Sequence, residues 1–214
     1  FMTMFKSSPT ISGDMPGAKK KVQPSKFLQT AMTLFVEKGF SQVTMAQVAK
    51  ASGATVAELR SHYDTKEELL IAAFRVGHRK MEERLRTIIS GDLDAHIGQM
   101  FDACLDGLMP FGPEIHLNLL LQATKDRTLM EIVRRTSRNV NFAVKAYLAQ
   151  MVSLSIIDEV KDVEKVNEEL VASLVEKVAG VMEGKDLTEI KKAWVAHGKK
   201  MLNPSYKTTV PALD

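Results

Sequence analysis

The sequence predicts an all-α protein, on three observations. From Ser25 onward the apolar residues recur at helical spacing almost without exception. No stretch shows the sustained alternation of a half-buried strand. Thr44, Thr55 and Thr65 each precede a Gln or Glu at the spacing that opens a helix. The expected layout is a basic, disordered tail over 1–24, a three-helix helix-turn-helix domain over 25–74, and a helical second domain over 75–214 reached by a long connecting helix.

Residues 1–24 hold Pro9, Gly13, Pro16, Gly17 and Pro24 with few apolar side chains, and close on the run Lys19, Lys20, Lys21. That composition lacks the apolar surface to fold. The first helix is expected to start with Ser25 as N-cap, to turn Phe27, Leu28, Ala31, Leu34 and Phe35 inward, and to end where Gly39 takes a left-handed conformation. Two short helices follow, from Met45 to about Ala51 and from about Val56 to Tyr63, around a turn containing Gly53. The connector is expected from Lys66 to about Ser90, roughly 37 Å at about 1.5 Å per residue. Further helices are predicted at about 93–109, 113–126, 129–153, 163–183 and 186–202. Pro110 to Pro113 and the Gly184-Lys185 pair supply breaks.

Composition narrows the function. Hydrophobic residues make up 45% and charged residues 26% of 214, as in ordinary globular chains. No run of apolar residues is long enough for a membrane span, and Lys6 is followed by no continuous apolar stretch, so no secretory leader is expected. The single cysteine, Cys104, fits a reducing cytoplasm. The net charge of +3 conceals an asymmetry: residues 1–90 carry 14 Lys and Arg against 8 Asp and Glu, whereas residues 91–214 carry 15 against 18. A basic first half attracts a polyanion; an acidic remainder avoids one.

The capping pattern carries the chemistry. In each copy (Thr44 with Gln47, Thr55 with Glu58, Thr65 with Glu67 or, at the proper spacing, Glu68) the hydroxyl can accept from a main-chain N–H of the first turn while the longer side chain reaches back. Two short helices joined at a glycine turn let the second lie in a major groove while the first crosses the backbone. Leu59 and Tyr63 face Val48, Ala49 and the first helix. That leaves Thr55, Val56, Ala57, Arg60, Ser61 and His62 available to DNA. Arg60 can bridge a phosphate or read guanine, and Val56 and Ala57 suit thymine methyl groups. Glu58 is assigned to capping.

The stretch KFLQTAMTLFVEKGFSQVTMAQVAKASGATVAELRSHYDTKEELLIAAF, residues 26–74, resembles the N-terminal domain of TetR-family transcriptional regulators. The likeness includes Phe27, Ala31, Leu34, Phe35, the Gly39-Phe40 pair, Thr44, Val48, Ala49, Gly53, Leu59, Tyr63, Lys66, Glu67 and Leu69 in family order. It implies that Thr44, the third helix through Tyr63, and Lys66 contact double-stranded operator DNA, Lys66 meeting a phosphate. Arg60 and Ser61 stand where the family usually has Tyr and His, so operator preference does not transfer. The resemblance further implies a variable half enclosing a small apolar or amphipathic effector, with release from a palindromic operator on binding, and a homodimer made through the last two helices.

Candidates for the pocket are Phe101, Cys104, Met109, Phe111, His116, Met130, Phe142, Tyr147 and Met151. Those for the dimer interface are Val163, Val166, Leu170, Leu174, Val178, Leu187, Ile190 and Trp194, with Val171, Val175 and Met182 widening the stripe. Arg134, Arg135 and Arg138 read as a solvated face, and Lys19 to Lys21 as a charge run or an arm to DNA. His62, His78, His96, His116 and His197 lack metal-ligand spacing, and no phosphate loop or nucleophile motif occurs. No metal, cofactor, enzyme activity or membrane partner is expected, and the location expected is the nucleoid-bearing cytoplasm. The alternatives are an architectural DNA-binding factor of the same fold without effector, or an α-helical enzyme or ligand carrier.

Overall fold

A computed structural model describes residues 22–87, 91–158, 160 and 162–202, and among them there are helices and turns but no strand. The helices are α1 Pro24–Lys38, α2 Met45–Ser52, α3 Val56–Arg60, α4 Lys66–Arg86, α5 Leu93–Leu108, α6 Pro113–Ala123, α7 Arg127–Ser153, α8 Val163–Val178 and α9 Leu187–Leu202. Single 3₁₀ turns extend over Phe40–Gln42 and Ala179–Glu183. None of these helices is long and apolar enough to cross a membrane.

Several boundaries differ from expectation for local reasons. Ser25 is not the N-cap of α1: Gln23 is, because Pro24 fits the first helical position, where its missing N–H costs nothing. Gly39 does have positive φ, but at φ 90°, ψ 139° it lies outside the left-handed helical region and launches the 3₁₀ turn. α3 stops at Arg60, and the N–H groups of His62 and Tyr63 both turn back to the Leu59 carbonyl. α7 starts at Arg127, where Asp126 accepts from the Leu129 N–H at 2.9 Å. α4 is described to Arg86, about 31 Å of helix; residues 88–90 of the expected connector lie outside the described residues.

Two apolar cores organise the chain. One gathers Phe27, Leu28, Phe35, Phe40, Val48, Leu59, Leu69, Leu70 and Phe74, as α1 to α4 predict. It also takes in Leu119 and Ala123 of α6 and Leu129 and Val133 of α7. The α6–α7 hairpin thus shares the core of the helix-turn-helix. The other core joins Met81 and Leu85 of α4 to α5, α7, α8 and α9 around Trp194 and Tyr147. α4 contributes to both cores and so links them mechanically.

The crossing of α4 against α5 depends on absent side chains. A Cβ at Gly77 would lie 2.2 Å from the Asp106 carbonyl oxygen, and one at Gly107 2.6 Å from the Met81 sulfur. Bare backbone at both positions lets the connector seat directly on α5.

Candidate nucleic-acid interface

The caps set the reading helices in place. Thr44 accepts from the Gln47 N–H at 3.3 Å while Gln47 Oε1 accepts from the Thr44 N–H at 2.9 Å, a complete reciprocal box. Thr55 and Thr65 make only the forward half, accepting from Glu58 and Glu68 N–H, each at 3.1 Å. Their glutamates are used elsewhere. Glu68 accepts from the Asp64 N–H at 2.8 Å, and Glu58 from the Val22 N–H at 2.8 Å. The expected capping role of Glu58 is thereby corrected: its carboxylate holds the segment entering α1 against α3. Gly53 closes α2 in the left-handed conformation, φ 77° and ψ 23°, and α3 begins three residues later.

This arrangement presents a small, mixed surface. Thr44, Thr55, Ala57, Arg60, Ser61 and His62 are exposed, as is Val56 at 37%, while Leu59 beneath them is fully buried. Arg60 makes no hydrogen bond or ion pair among the described residues, so its guanidinium is free for a partner. Ser61 instead donates to the Glu58 carbonyl at 2.7 Å, which ties its hydroxyl to the helix end. The His62 ring leans over Phe27 at 5.9 Å between centroids. Tyr63 is half-buried against the core, and burial raises its phenol above the ordinary value.

Lys66, which the resemblance places on a phosphate, is engaged within the domain. Its ammonium donates to the Phe40 and Ser41 carbonyls at 2.7 and 3.1 Å and stands 4.7 Å above the Phe40 ring. It buttresses the corner between α1 and α2 from inside the domain. Gln122 of α6 holds the same corner from the other side. Its Oε1 accepts from the Phe40 N–H at 2.6 Å, and its Nε2 donates to the Phe35 carbonyl at 2.8 Å and to Asn118 at 2.6 Å. Sequence reasoning passed over Gln122, since a glutamine within an amphipathic helix carries no signal of a partner 82 residues away.

The pocket candidates do not form one pocket: Met109, Phe111 and His116 meet at one small cavity, and Phe142 and Tyr147 line a separate open groove of about 380 Å³. Phe101, Cys104, Met109, Tyr147 and Met151 are buried in the second core, with Cys104 inert behind a thiol pushed up to about 12 by burial. Phe111 and Met130 pack against the first core, and His116 is buried on the inner side of α6. Phe142 is 76% exposed, because it lies two residues from the inward-facing Val140 and therefore on the far side of α7. Around Met109, Phe111 and His116, with Met32 and Phe74, there remains a cavity of about 10 Å³. The His116 Nδ1 is buried without a partner, and desolvation pushes the imidazole down to about 4.

The dimer candidates are corrected as well. Leu170, Leu174, Val178, Ile190 and Trp194 are buried within the single chain, and Val163 and Val166 pack against the same core. The Trp194 indole donates to the Leu170 carbonyl and Ser173 hydroxyl, both at 3.1 Å, which fixes α9 on α8. Of the predicted set Leu187 is exposed and Val163 and Val166 are partly so; Met182, predicted to widen the stripe, is exposed as well. Arg134, Arg135 and Arg138 are solvent-facing, with Arg138 paired to Glu131 at 3.1 Å.

A capped helix-turn-helix with an uncommitted arginine on its exposed helix, set on a helical second core, defines a DNA-binding transcriptional regulator. Residues 27–73 match the family described as bacterial regulatory proteins, tetR family. The HTH-type transcriptional regulator CymR of Pseudomonas putida is 29% identical over 142 residues, 64% of this chain and 70% of the relative. The chain is thus similar to TetR-family regulators, in sequence most clearly over residues 27–73. Its fold extends the likeness beyond the matched segment. The fatty acid degradation regulator FadR of Bacillus halodurans superposes with TM-score 0.67 at 17% identity, over 86% of this chain and 97% of the other. The SmeT–triclosan complex does so with TM-score 0.62 at 19% identity, over 82% and 89%.

Proposed function

We propose that this regulator is a homodimeric repressor released from a palindromic operator by a small apolar or amphipathic ligand, with α3 seated in the major groove. The exposed face of α3 carries the reading: an unpaired Arg60 beside the small apolar Val56 and Ala57, a set suited to a phosphate or guanine and to thymine methyl groups. Thr44, Thr55 and His62 border that face. Lys66 acts chiefly by fixing the corner that orients α2, and Tyr63 and Ser61 support α3 from behind. Work on DNA puts the protein in the cytoplasm, at the nucleoid.

The dimer is drawn from the outer face of α8 and α9, where Met182 and Leu187 are exposed beside Ala172, Ala179, Ala193 and Ala196. Small side chains there permit close approach of a second copy, and two-fold symmetry matches a palindrome with half-sites about 34 Å apart or a multiple of it. The effector site is centred on His116, whose unpartnered nitrogen beside the residual cavity offers one polar anchor in apolar surroundings. Ligand entry requires α6 to move, and α6 holds Phe40 through Gln122.

Selection from a randomised duplex pool tests this reading. Enrichment of a two-fold symmetric site is the expected result, and recovery of no common sequence would refute it. A second reading, a DNA-binding architectural factor without effector, is favoured by one observation: the cavity beside His116 is smaller than a single ligand-sized group. Thermal shift against a metabolite collection separates the two, since only the first reading expects a stabilising compound.

A further inference from the structure

We infer that a cleft between α1 and α4 binds a small amphipathic anion, an alkyl or aryl carboxylate or sulfonate, through the guanidinium groups of Arg75 and Arg79. The cleft holds about 530 Å³, within the size of small-molecule sites. Leu28, Ala72 and Val76 give it an apolar wall, and Tyr63, Arg75 and Arg79 bring polar groups to it. No carboxylate lines it among the described residues. It is separate from the cavity beside His116. The two share no residue, and at about 100° per helical residue Ala72, Arg75, Val76 and Arg79 turn to the side of α4 opposite Phe74. Nothing here is assigned to Lys19 to Lys21, which lie outside the described residues.

The two arginines are placed against the interest of the fold. Both are exposed, and neither makes a hydrogen bond or ion pair with another described residue. Four positions apart on one helix face, like charges repel and weaken the helix. Glu83 stands at the spacing that would pair with Arg79, yet makes no ion pair with it. An anion held between the guanidinium groups supplies the missing counter-charge, through hydrogen bonds of the strong, directional kind. The Tyr63 hydroxyl beside them likewise has no hydrogen-bond partner among the described residues, and so remains a donor for the same head group. The apolar wall then asks for an apolar body on that ligand. DNA phosphates fit less well. Arg75 and Arg79 stand about 14 and 20 Å along α4 from Lys66, and a sugar-phosphate backbone has no use for the wall of Leu28, Ala72 and Val76.

Isothermal titration calorimetry on the full chain tests the site, with octanoate and naphthalene-2-sulfonate as anionic probes and 1-octanol as the uncharged one. An anionic probe should bind saturably. Arg75→Gln combined with Arg79→Gln should weaken it about tenfold or more and leave 1-octanol unaffected. His116→Leu should leave anion binding in place. No saturable binding of either anion, or equal affinity in wild type and double variant, would overturn the inference. Loss of binding in His116→Leu would do the same, by moving the ligand to the cavity against α6. Duplex binding by the double variant deals with the other source of anions. Its slope of log K against log salt should match the wild type, whereas a slope flattened by about 0.9 per arginine would assign both guanidinium groups to DNA and overturn the ligand site. The calorimetry uses no DNA, so failure of this site and failure of α3 as a reading helix are told apart.

Discussion

Replacing His116 by leucine should remove a specific part of the protein's sensitivity to acid. The side chain is 3% exposed, its Nδ1 has no partner, and its neighbours are Phe74 and the apolar lining of a cavity of about 10 Å³. Desolvation lowers its folded-state pKa from 6.5 to about 4. Between those values the unfolded chain binds a proton that the folded chain refuses, so stability is full above about pH 6.5 and is lost as the pH falls toward 4. At 1.36 kcal/mol per unit, His116 accounts for a loss of ~2.5 kcal/mol by about pH 4.5, relative to neutral pH. Burial also lowers the His78 pKa, against the opposing charge of Glu82, but His78 is common to both proteins and drops out of the difference. Urea unfolding at fixed protein concentration, followed from about pH 7.5 to about 4.5, reads the effect. The stability of the His116→Leu variant should decline less steeply than that of the wild type, with the two curves separating below about pH 6.5. Parallel curves would mean that His116 is either solvated or paired in the folded state, and the proposed polar anchor would fall with it.

Leu59→Ala should cost on the order of 2 to 5 kcal/mol, since the side chain is wholly enclosed beneath α3; an unchanged melting temperature would contradict that placement. Gln122→Leu leaves the Phe40 N–H without its partner, while the Phe35 carbonyl keeps the Gly39 N–H, so calorimetry should record a loss of about 1 to 3 kcal/mol. The same variant should weaken operator binding beyond the loss of folded protein, whereas intact affinity at permissive temperature would remove Gln122 from the coupling between α6 and the reading head. Arg60→Ala and Lys66→Ala should part company. The first should change base preference or salt slope while leaving the melting temperature in place, and the second should lower the melting temperature through the Phe40 corner. A Lys66 variant of normal stability with a flattened salt slope would return Lys66 to the phosphates.

What could be read from the sequence was what is encoded locally. Thr44, Thr55 and Thr65 announced three helix starts because a cap is a contact between neighbours in the chain, and Gly53 announced the turn because few other residues accept its backbone angles. Second partners were invisible. Glu58 and Glu68 stand at capping positions, yet their carboxylates go to Val22 and Asp64, a choice decided by which N–H groups the fold leaves unsatisfied. The stripe of Leu170, Leu174, Ile190 and Trp194 was correctly identified as buried and wrongly assigned to a partner copy, since periodicity records that a face is covered and not what covers it. For the same reason the second-domain aromatic and Met residues read as one pocket, although packing distributes most of them over two cores and leaves Phe142 exposed on a groove it shares with Tyr147. The docking of α6 and α7 onto the helix-turn-helix core had no sequence signal, because it depends on long-range contacts of ordinary leucines and valines.

The central claim is that the exposed face of α3 reads DNA sequence. Its most direct test is the affinity of the wild-type protein for its selected palindrome relative to a shuffled duplex of equal length and composition, at one fixed salt concentration. A specific regulator should prefer the palindrome by about 10³-fold or more. Equal affinity for the two duplexes would contradict the account, whatever the strength of binding.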